Sequence, residues 1–331
     1  MSWIANESKN WFIFDHGWQY PAKTEQHAAD MIRQKNIALP YPYVGFPWAT
    51  LIDFENRARK KEVEEWLEKL DSIPKLEDGR RVTVAQHISV FKRIPFFKRV
   101  GITDIFWSHA TSDTYLIDGI RIHAFPLYPV QVPKISRSDV FKTLSDRREY
   151  LYSFVGTYTP KGYISDIRKC ILEEFKHDQA KIIFRQEWHY EKIVYQRQID
   201  NKSISEDIQS TYEQNSNEYR DILAQSNFSL CPSGSGPNSI RLWESLGAFA
   251  IPVIFSSNLR LPGDQELWNK AALIYPDKLN SVAEVILEME KISENPEMLR
   301  NMRLAGQDLW LRYGSQNFIH DLLRLAGDRH E

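Results

Sequence analysis

The segment SNFSLCPSGSGPNSIRLWESLGAFAIPVIFS, residues 226–256, predicts a strand, a loop rich in glycine and serine, a helix and a second strand. In an open parallel sheet, ligands bind at the carboxyl ends of the strands, and this loop follows a strand at that edge. The N–H groups in the first turn of the next helix have no backbone partner and favour a bound phosphate. The segment therefore predicts an α/β fold with a phosphate site in its loop.

The side chains of this loop and helix suit a nucleoside diphosphate. Two glycines allow close approach of the backbone to a ligand, and three serine hydroxyls add hydrogen-bond donors. The five residues are Ser233, Gly234, Ser235, Gly236 and Ser239. Arg241 adds a planar cation for the phosphates, and Glu244, on the same helix face, can accept hydrogen bonds from ribose hydroxyls.

A purely structural interpretation of the same segment stays open. The glycines would form a turn, with Asn238 or Ser239 capping the helix. Arg241 and Glu244 would then form a surface ion pair that contributes little to stability. The segment is not a Walker A loop, because no lysine follows the glycines, and it is not G-x-G-x-x-G, because Ser239 takes the third glycine position.

Length and composition indicate a globular protein of two domains. The chain has 331 residues, of which 42% are hydrophobic and 26% charged, so a sizeable core can form. A net charge of -2 makes nucleic acid an unexpected partner. Two isolated cysteines and the absence of an apolar leader predict a cytoplasmic protein, with peripheral attachment to the inner face of a membrane still open.

Strand and helix patterns alternate along the chain, as in α/β domains. Strands are predicted at Trp11–Asp15, Arg81–Gln86, Thr103–Trp107, Ile120–Phe125, Leu151–Val155, Lys181–Phe184, Phe228–Cys231, Ala250–Phe255 and Ala271–Tyr275. Helices are predicted at Glu55–Leu70, at Ile164–Phe175, from Ser239, and at Val282–Ile292, Pro296–Tyr313 and Asn317–Leu325. The polar stretch Asp200–Asn217 lacks a clear period and predicts a loop or small insertion.

Three prolines in Pro126–Ser138 interrupt this pattern and predict a domain boundary. We place an N-terminal domain at residues 1–135 and a C-terminal domain at 136–314.

The run LCP-x-G-x-G-x-x-S-x-R-L-x-E-x-L-x-A-x-x-IPVI, as it stands in Leu230–Ile254, resembles the donor-site signature of exostosin-like glycosyltransferases. Ser153–Gly156 and Ile167–Arg168 resemble the start of that family's donor domain. The resemblance implies a GT-B fold of two Rossmann-like domains facing across a cleft, with C-terminal helices crossing back. Residues 315–331 would form the part that packs toward the N-terminal domain.

The resemblance also implies an inverting transfer of sugar from a nucleotide-diphosphate-sugar, with no metal and no cofactor besides that co-substrate. Gly156 and Thr157 then join the donor site, and Arg185 or Lys161 adds phosphate charge. The acceptor would be a hydroxyl of a glycan or lipid-linked glycan. Eukaryotic relatives usually carry an N-terminal membrane anchor, so its absence favours a bacterial enzyme of surface polysaccharide synthesis.

An inverting transfer needs a base on the acceptor side of the cleft. His109 follows a predicted strand and is our first candidate. His87, His16 beside Asp15, and Asp113 are alternatives. The family's Asp-His pair is replaced here by Thr103-Asp104, which weakens the resemblance in the acceptor half.

Two rival functions stay open. A binding or regulatory protein would keep the nucleotide cleft without catalysis. Another nucleotide-sugar enzyme, such as an epimerase or phosphorylase, is disfavoured because the turn after the first strand, within Trp11–Trp18, holds only Gly17. The sequence names neither the sugar, the nucleobase, the acceptor nor the oligomeric state.

Overall fold

The computed structural model of the protein describes residues 3–73, 79–134, 144, 148–187, 192–200, 202–203 and 205–325. These residues form two β-sheets, and helices cover both faces of each sheet. The predicted α/β class is confirmed. The predicted division between residues 135 and 136 lies outside the described residues and stays a prediction.

The first sheet has strands β1 Trp3–Asn6, β2 Trp11–Phe14, β3 Tyr43–Gly45, β4 Val82–Ala85, β5 Asp104–Trp107, β6 Leu116–Ile117 and β7 Ile120–Ala124. Their spatial order is β1-β2-β3-β4-β5-β7-β6. The five strands from β2 to β5 and β7 are parallel, whereas β1 and β6 pair antiparallel at the edges. The carboxyl ends of the parallel strands therefore share one edge, and their order follows the chain without reversal.

Alternating side chains of the first sheet build a core on each face. Helices α1 Thr24–Gln34, α2 Trp48–Asn56, α3 Lys60–Asp71 and α4 Ile94–Arg99 cover these faces. Phe12 and Phe14 of β2 face the side of α2, α3 and α4, whereas Trp11 and Ile13 face α1.

The second sheet has strands β8 Tyr150–Gly156, β9 Ala180–Phe184, β10 Ser226–Pro232, β11 Ile251–Phe255 and β12 Leu273–Tyr275. All are parallel and lie in the order β12-β11-β10-β8-β9. Counted from its first strand, this is the doubly wound order 2-1-3-4-5. Such a sheet has a topological switch point between its first and third strands, here β8 and β10.

Helices α5 Ile167–Glu174, α6 Glu206–Ala224, α7 Ile240–Gly247, α8 Gln265–Ala271, α9 Val282–Glu294, α10 Pro296–Tyr313 and α11 His320–Arg324 accompany the second sheet or follow it. The helices α5 and α9 cover one face, and α7, α8 and α10 cover the other.

The chain returns to the first sheet after α10. Phe318, Ile319 and Leu322 are buried in the same cluster as Ile13 and Phe125, and the rings of Phe318 and Phe125 lie 5.1 Å apart. The C-terminal crossing expected for the GT-B fold is therefore confirmed.

Two predicted elements differ from the structure. The single helix expected at Glu55–Leu70 is interrupted, because α2 ends at Asn56 and Ala58 then takes a left-handed φ of 55°. The N–H of Arg59 reaches back to the carbonyl of Phe54 at 2.9 Å, a common way to end a helix.

The prediction of a loop at Asp200–Asn217 is wrong, because most of this stretch belongs to α6. The hydroxyl of Ser205 caps that helix by accepting the N–H of Ile208. The helix has only three buried residues, Ser216, Ile222 and Leu223, so its sequence shows almost no apolar period.

Replacing Phe318 with alanine should destabilise the protein by about 3–5 kcal/mol, because a fully buried aromatic ring would leave a cavity under the returning segment. Urea unfolding measures this loss. Leu311→Ala is the matched control, since Leu311 is 63% exposed and its removal should change stability little. Equal effects of the two substitutions would contradict the packing described for the crossing.

Candidate functional site

A cavity with about 130 Å³ of free space opens at the switch point between β8 and β10. Six of the predicted donor-site residues line it: Gly156, Thr157, Arg185, Ser239, Arg241 and Glu244. The strand ends and the start of α7 place these residues together, as the position of the loop predicts. The cavity is therefore the candidate donor site.

The first part of the loop is held by hydrogen bonds to the segment after β8 and does not line the cavity. Ser233 is buried and its hydroxyl lies 3.1 Å from that of Ser165. The Ser235 hydroxyl donates to the carbonyl of Gly162 at 2.7 Å. Both hydroxyls already have protein partners in this structure, and their contact with a phosphate stays a prediction. Ser239 makes no side-chain cap hydrogen bond, and it does line the cavity.

Arg241 is buried, with 8% of its surface exposed. Its guanidinium lies 4.6 Å from the ring centroid of Phe154 and donates to the carbonyls of Val155 and Leu230. The Nε atom has no partner. A surface ion pair with Glu244 is thereby excluded, since both residues are buried and no salt bridge joins them among the described residues.

Arg168 is a second cation at the same cavity, and the sequence did not single it out as a site residue. Its Nε donates to the carbonyl of Ser233 at 2.9 Å, and Nη1 donates to that of Thr157 at 3.2 Å. Burial, together with the charge of Arg241, lowers the pKa of Arg168 to about 10, so it stays charged at neutral pH. The sequence signals for it were its place one residue into the helix after β8 and the resemblance of Ile167–Arg168 to the start of the family's donor domain.

Neither Arg168 nor Arg241 forms an ion pair with a carboxylate within the described part of the chain. Two cations held by carbonyl oxygens and aromatic rings repel each other, and an anion would relieve that repulsion. Glycine makes their positions possible. A Cβ at Gly156 would lie 3.3 Å from Arg241 Nη2, and one at Gly234 would lie 3.4 Å from Arg168 Nη2.

Two further predicted residues differ in their freedom to bind a ligand. Thr157 is 5% exposed, and its buried hydroxyl has no hydrogen-bond partner. Arg185 instead forms an ion pair with Glu218, so its charge is already balanced.

Glu244 has three protein partners in this structure. One carboxylate oxygen accepts the N–H groups of Val130 and Gln131 at 3.2 and 2.7 Å, and the other accepts the Tyr219 hydroxyl at 2.8 Å. Burial raises the pKa of Glu244 to about 6. The expected ribose contact would therefore share the carboxylate with the segment that links the two sheets.

His109, the first candidate base, lies against the donor loop. The imidazole is 6% exposed and its Nδ1 has no partner, while a Cβ at Gly236 would lie 2.5 Å from that atom. Burial lowers the pKa of His109 to about 3. A group with this pKa is a weak base near neutral pH, so the geometry argues against the role that its position predicts.

The alternatives differ in how their nitrogen or oxygen atoms are bound. His87 Nδ1 accepts the N–H of Ser89 at 3.0 Å, and Nε2 lies 3.2 Å from Asp53, so both ring nitrogens are engaged. His16 Nδ1 is paired with Asp15, and its Nε2 has no partner.

Asp113 is exposed, and the hydroxyl of Thr111 lowers the pKa of its carboxyl group. Asp104 lies at the opposite, amino end of β5, where it binds Arg80, Arg121 and His123. It stabilises the first sheet and does not face the cleft.

Across the described ranges, no group of three or more His, Cys, Asp or Glu side chains is placed to hold a metal ion. In that same part of the chain, no helix has both the length and the apolar content that crossing a membrane requires.

The family model of the exostosin GT47 domain matches residues 59–289, well over half of the chain. The chain belongs to the exostosin family. The match includes the candidate donor site and strands β4, β5, β6 and β7 of the first sheet.

Relatives within the exostosin family align over part of their length. The chain is 27% identical over 179 residues to an exostosin-1 homologue of Caenorhabditis elegans. That alignment covers 53% of this chain and 44% of the relative. The chain is 26% identical over 192 residues to exostosin-1 of Bos taurus, covering 57% and 24%. The aligned part thus spans less than half of these relatives.

Solved structures resemble the chain more distantly. The Anabaena protein HepE, in complex with UDP and glucose, aligns with a TM-score of 0.45 and 10% identity, covering 92% of this chain and 81% of HepE. Sucrose-phosphate synthase from Thermosynechococcus elongatus aligns with a TM-score of 0.44 and 11% identity, covering 92% and 76%.

Replacing Arg168 with glutamine should weaken the binding of inorganic pyrophosphate at least tenfold, because a hydrogen bond to a charged group contributes about 1.5–3 kcal/mol. Calorimetric titration measures this change. Arg33→Gln is the control, since Arg33 pairs with Asp30 on the surface. Wild-type affinity in the Arg168 variant would show that the two cations do not form an anion site.

Glu244→Gln should gain stability relative to the wild type as pH rises from about 4.5 to 7. The carboxyl pKa is raised from 4.5 to about 6 on folding, so ionisation costs stability in that window and is absent from the amide. The shift corresponds to about 2 kcal/mol. Urea unfolding of both proteins at the two pH values measures it, and a pH-independent difference would contradict the burial of a charged Glu244.

Proposed function

We propose that the protein is an inverting glycosyltransferase that moves a sugar from a nucleotide-diphosphate-sugar to a hydroxyl of a glycan or lipid-linked glycan. The observation that carries the proposal is the pair of guanidinium groups of Arg168, which is partly buried, and Arg241, which is buried. Neither has a carboxylate partner among the described residues, and both lie at the switch point of the donor sheet. Membership of the exostosin family supports the reaction class.

In the proposed reaction the acceptor oxygen forms a bond to the anomeric carbon, and the bond from that carbon to the diphosphate breaks. The acceptor proton passes to a base, and the nucleoside diphosphate leaves with the bonding electrons. Arg168 and Arg241 would stabilise the charge that develops on the leaving oxygen. Thr157 and Ser239 supply hydroxyls beside them. This cation pair would take the role that a metal has in other transferases.

We assign the base to His16, whose Nδ1 pairs with Asp15, which leaves the lone pair on Nε2. Nε2 has no hydrogen-bond partner among the described residues but is enclosed by protein atoms, so a neighbouring group must move before an acceptor hydroxyl reaches it. The residue follows β2 at the cleft edge of the first sheet. His109 lies nearer the donor loop but is the weaker base.

A second candidate function is a non-catalytic nucleotide-sugar-binding or regulatory protein. The low basicity of His109, which lies at the donor loop, favours it. Nucleotide-sugar hydrolysis, or transfer to a mixture of glycan acceptors, would be absent in such a protein although binding persists. Action in bacterial surface polysaccharide synthesis, and peripheral association with a membrane, are part of our first proposal and rest on the family resemblance alone.

Arg241→Ala should abolish most transfer and weaken binding of nucleoside diphosphates by about 1.5–3 kcal/mol, since it removes a charged donor from the anion site. Calorimetry against UDP, GDP and dTDP identifies the tightest ligand and measures the loss. Unchanged affinity would place the nucleotide elsewhere.

His16→Ala should lower turnover by roughly 10²–10⁴ while nucleotide affinity stays near the wild-type value, because a base acts mainly in the transition state. Initial rates and calorimetry separate the two effects. His177→Ala is the matched control, because His177 also pairs with a carboxylate, that of Glu290, but precedes β9 at the far edge of the second sheet. A rate loss confined to His109→Ala would instead return the role to His109.

A further inference from the structure

The donor loop, residues 233–239, also contacts the first sheet through one buried amide. Asn238 is 6% exposed. Its Nδ2 donates to the carbonyl of Ser108 at 2.6 Å, and its Oδ1 accepts the indole N–H of Trp243 at 3.1 Å. The carbonyl can only accept and the indole can only donate, so an amide is the group that satisfies both. One side chain thus joins the acceptor-side sheet to the helix that carries Arg241.

The partner of Asn238 in the first sheet is itself held firmly. Ser108 follows β5, its N–H donates to the carbonyl of Ala85 at 3.1 Å, and its hydroxyl donates to that of Pro126 at 2.9 Å. Two residues before Asn238, a Cβ on Gly236 would lie 2.5 Å from His109 Nδ1 and 2.8 Å from Ile88 Cγ2. The donor loop therefore rests directly on the carboxyl ends of β4 and β5.

A separate contact between the two halves uses the backbone alone. The N–H of Ser112 donates to the carbonyl of Asn258, and that of Arg260 donates to Ala110, both at 2.9 Å, around a bridge between Thr111 and Leu259. Because these bonds do not involve Asn238, the two halves can stay in contact when that amide is changed.

We propose that Asn238 is a positioning residue that couples the donor loop to the acceptor-side sheet. Contact between the two halves would then hold the donor loop in the conformation that binds the nucleotide. This inference rests on the proposed nucleotide site. Because coupling between a ligand and a contact is reciprocal, nucleotide binding should also strengthen the contact between the halves.

Asn238→Asp tests the proposal with almost no change of shape. An ionised carboxylate still accepts from Trp243 but repels the Ser108 carbonyl, whereas a protonated carboxyl group can donate to it. We therefore expect at least tenfold weaker binding of the tightest nucleoside diphosphate at about pH 8, recovering toward the wild-type value at about pH 5. The other titratable or charged groups near the loop are His87, His109, Arg168, Arg241 and Glu244. They are present in both proteins, so their contributions cancel in the ratio of affinities.

Asn258→Asp is the matched control, because Asn258 is exposed and contacts the first sheet only through its carbonyl. It should bind nucleotide as the wild type does. Gly236→Ala is a second, uncharged test, since the new methyl group would lie 2.5 Å from His109 Nδ1, so that the loop or the imidazole must shift. It should weaken nucleotide binding also, whereas Gly306→Ala, with its nearest contact at 3.5 Å, should not.

The rate of amide hydrogen exchange at residues 110–112 measures whether nucleotide binding strengthens the contact between the two halves. Nucleotide should slow exchange there in the wild type and less in the Asn238→Asp variant. Wild-type affinity for nucleotide in both loop variants would overturn the proposal. So would a fall in the unfolding temperature of the nucleotide-free variants large enough to explain the whole loss of binding. Failure of the proposed function would appear differently, as no nucleotide binding by the wild type itself.

Discussion

The candidate site depends on two positive charges that the fold holds together with no balancing carboxylate in the part of the chain that the structure describes. Arg168 and Arg241 are restrained by backbone carbonyls and aromatic rings, which position a guanidinium without neutralising it. The two glycines beside them leave room for both groups. The doubly wound sheet brings β8 and β10 together, and this places residues 73 positions apart at one cavity. The repulsion between the two cations would be relieved by a multivalent anion, as the proposed function requires.

The sequence was most informative where one short segment contains the whole local structure. Residues 226–256 predicted the loop, the helix and the two strands, because each is set by nearby apolar runs and glycines. Arg168 was missed as a site residue because its place depends on strand order, which local periodicity does not specify. The partners of Glu244 and of Ser235 were missed for the same reason, since they come from the linking segment and from the loop after β8.

For the fold as well, features set by nearby residues were predicted, and features set by distant contacts were not. Buried strands were predicted within one or two residues, because continuous apolar runs are strong signals. Strand β1, which has four residues, strand β3, which has three, and helix α1 were not predicted. Helix α6 is polar on most of its surface and packs through its last turns, so its sequence resembles a loop. The order of the parallel strands in the first sheet, which follows the chain without reversal, could not be inferred from the strand pattern either.

The return of the chain to the first sheet sets an order for its biosynthesis. The His27 imidazole meets the carbonyl of Ser315, 288 residues later, and Phe318 fills the core between α1 and β7. During translation the second sheet can assemble from residues already made, whereas the first sheet keeps an open apolar face until residues 315–325 have left the ribosome. The sheet that is synthesised first is thus completed only after the second one, and a chain cut before residue 315 would leave that apolar face exposed.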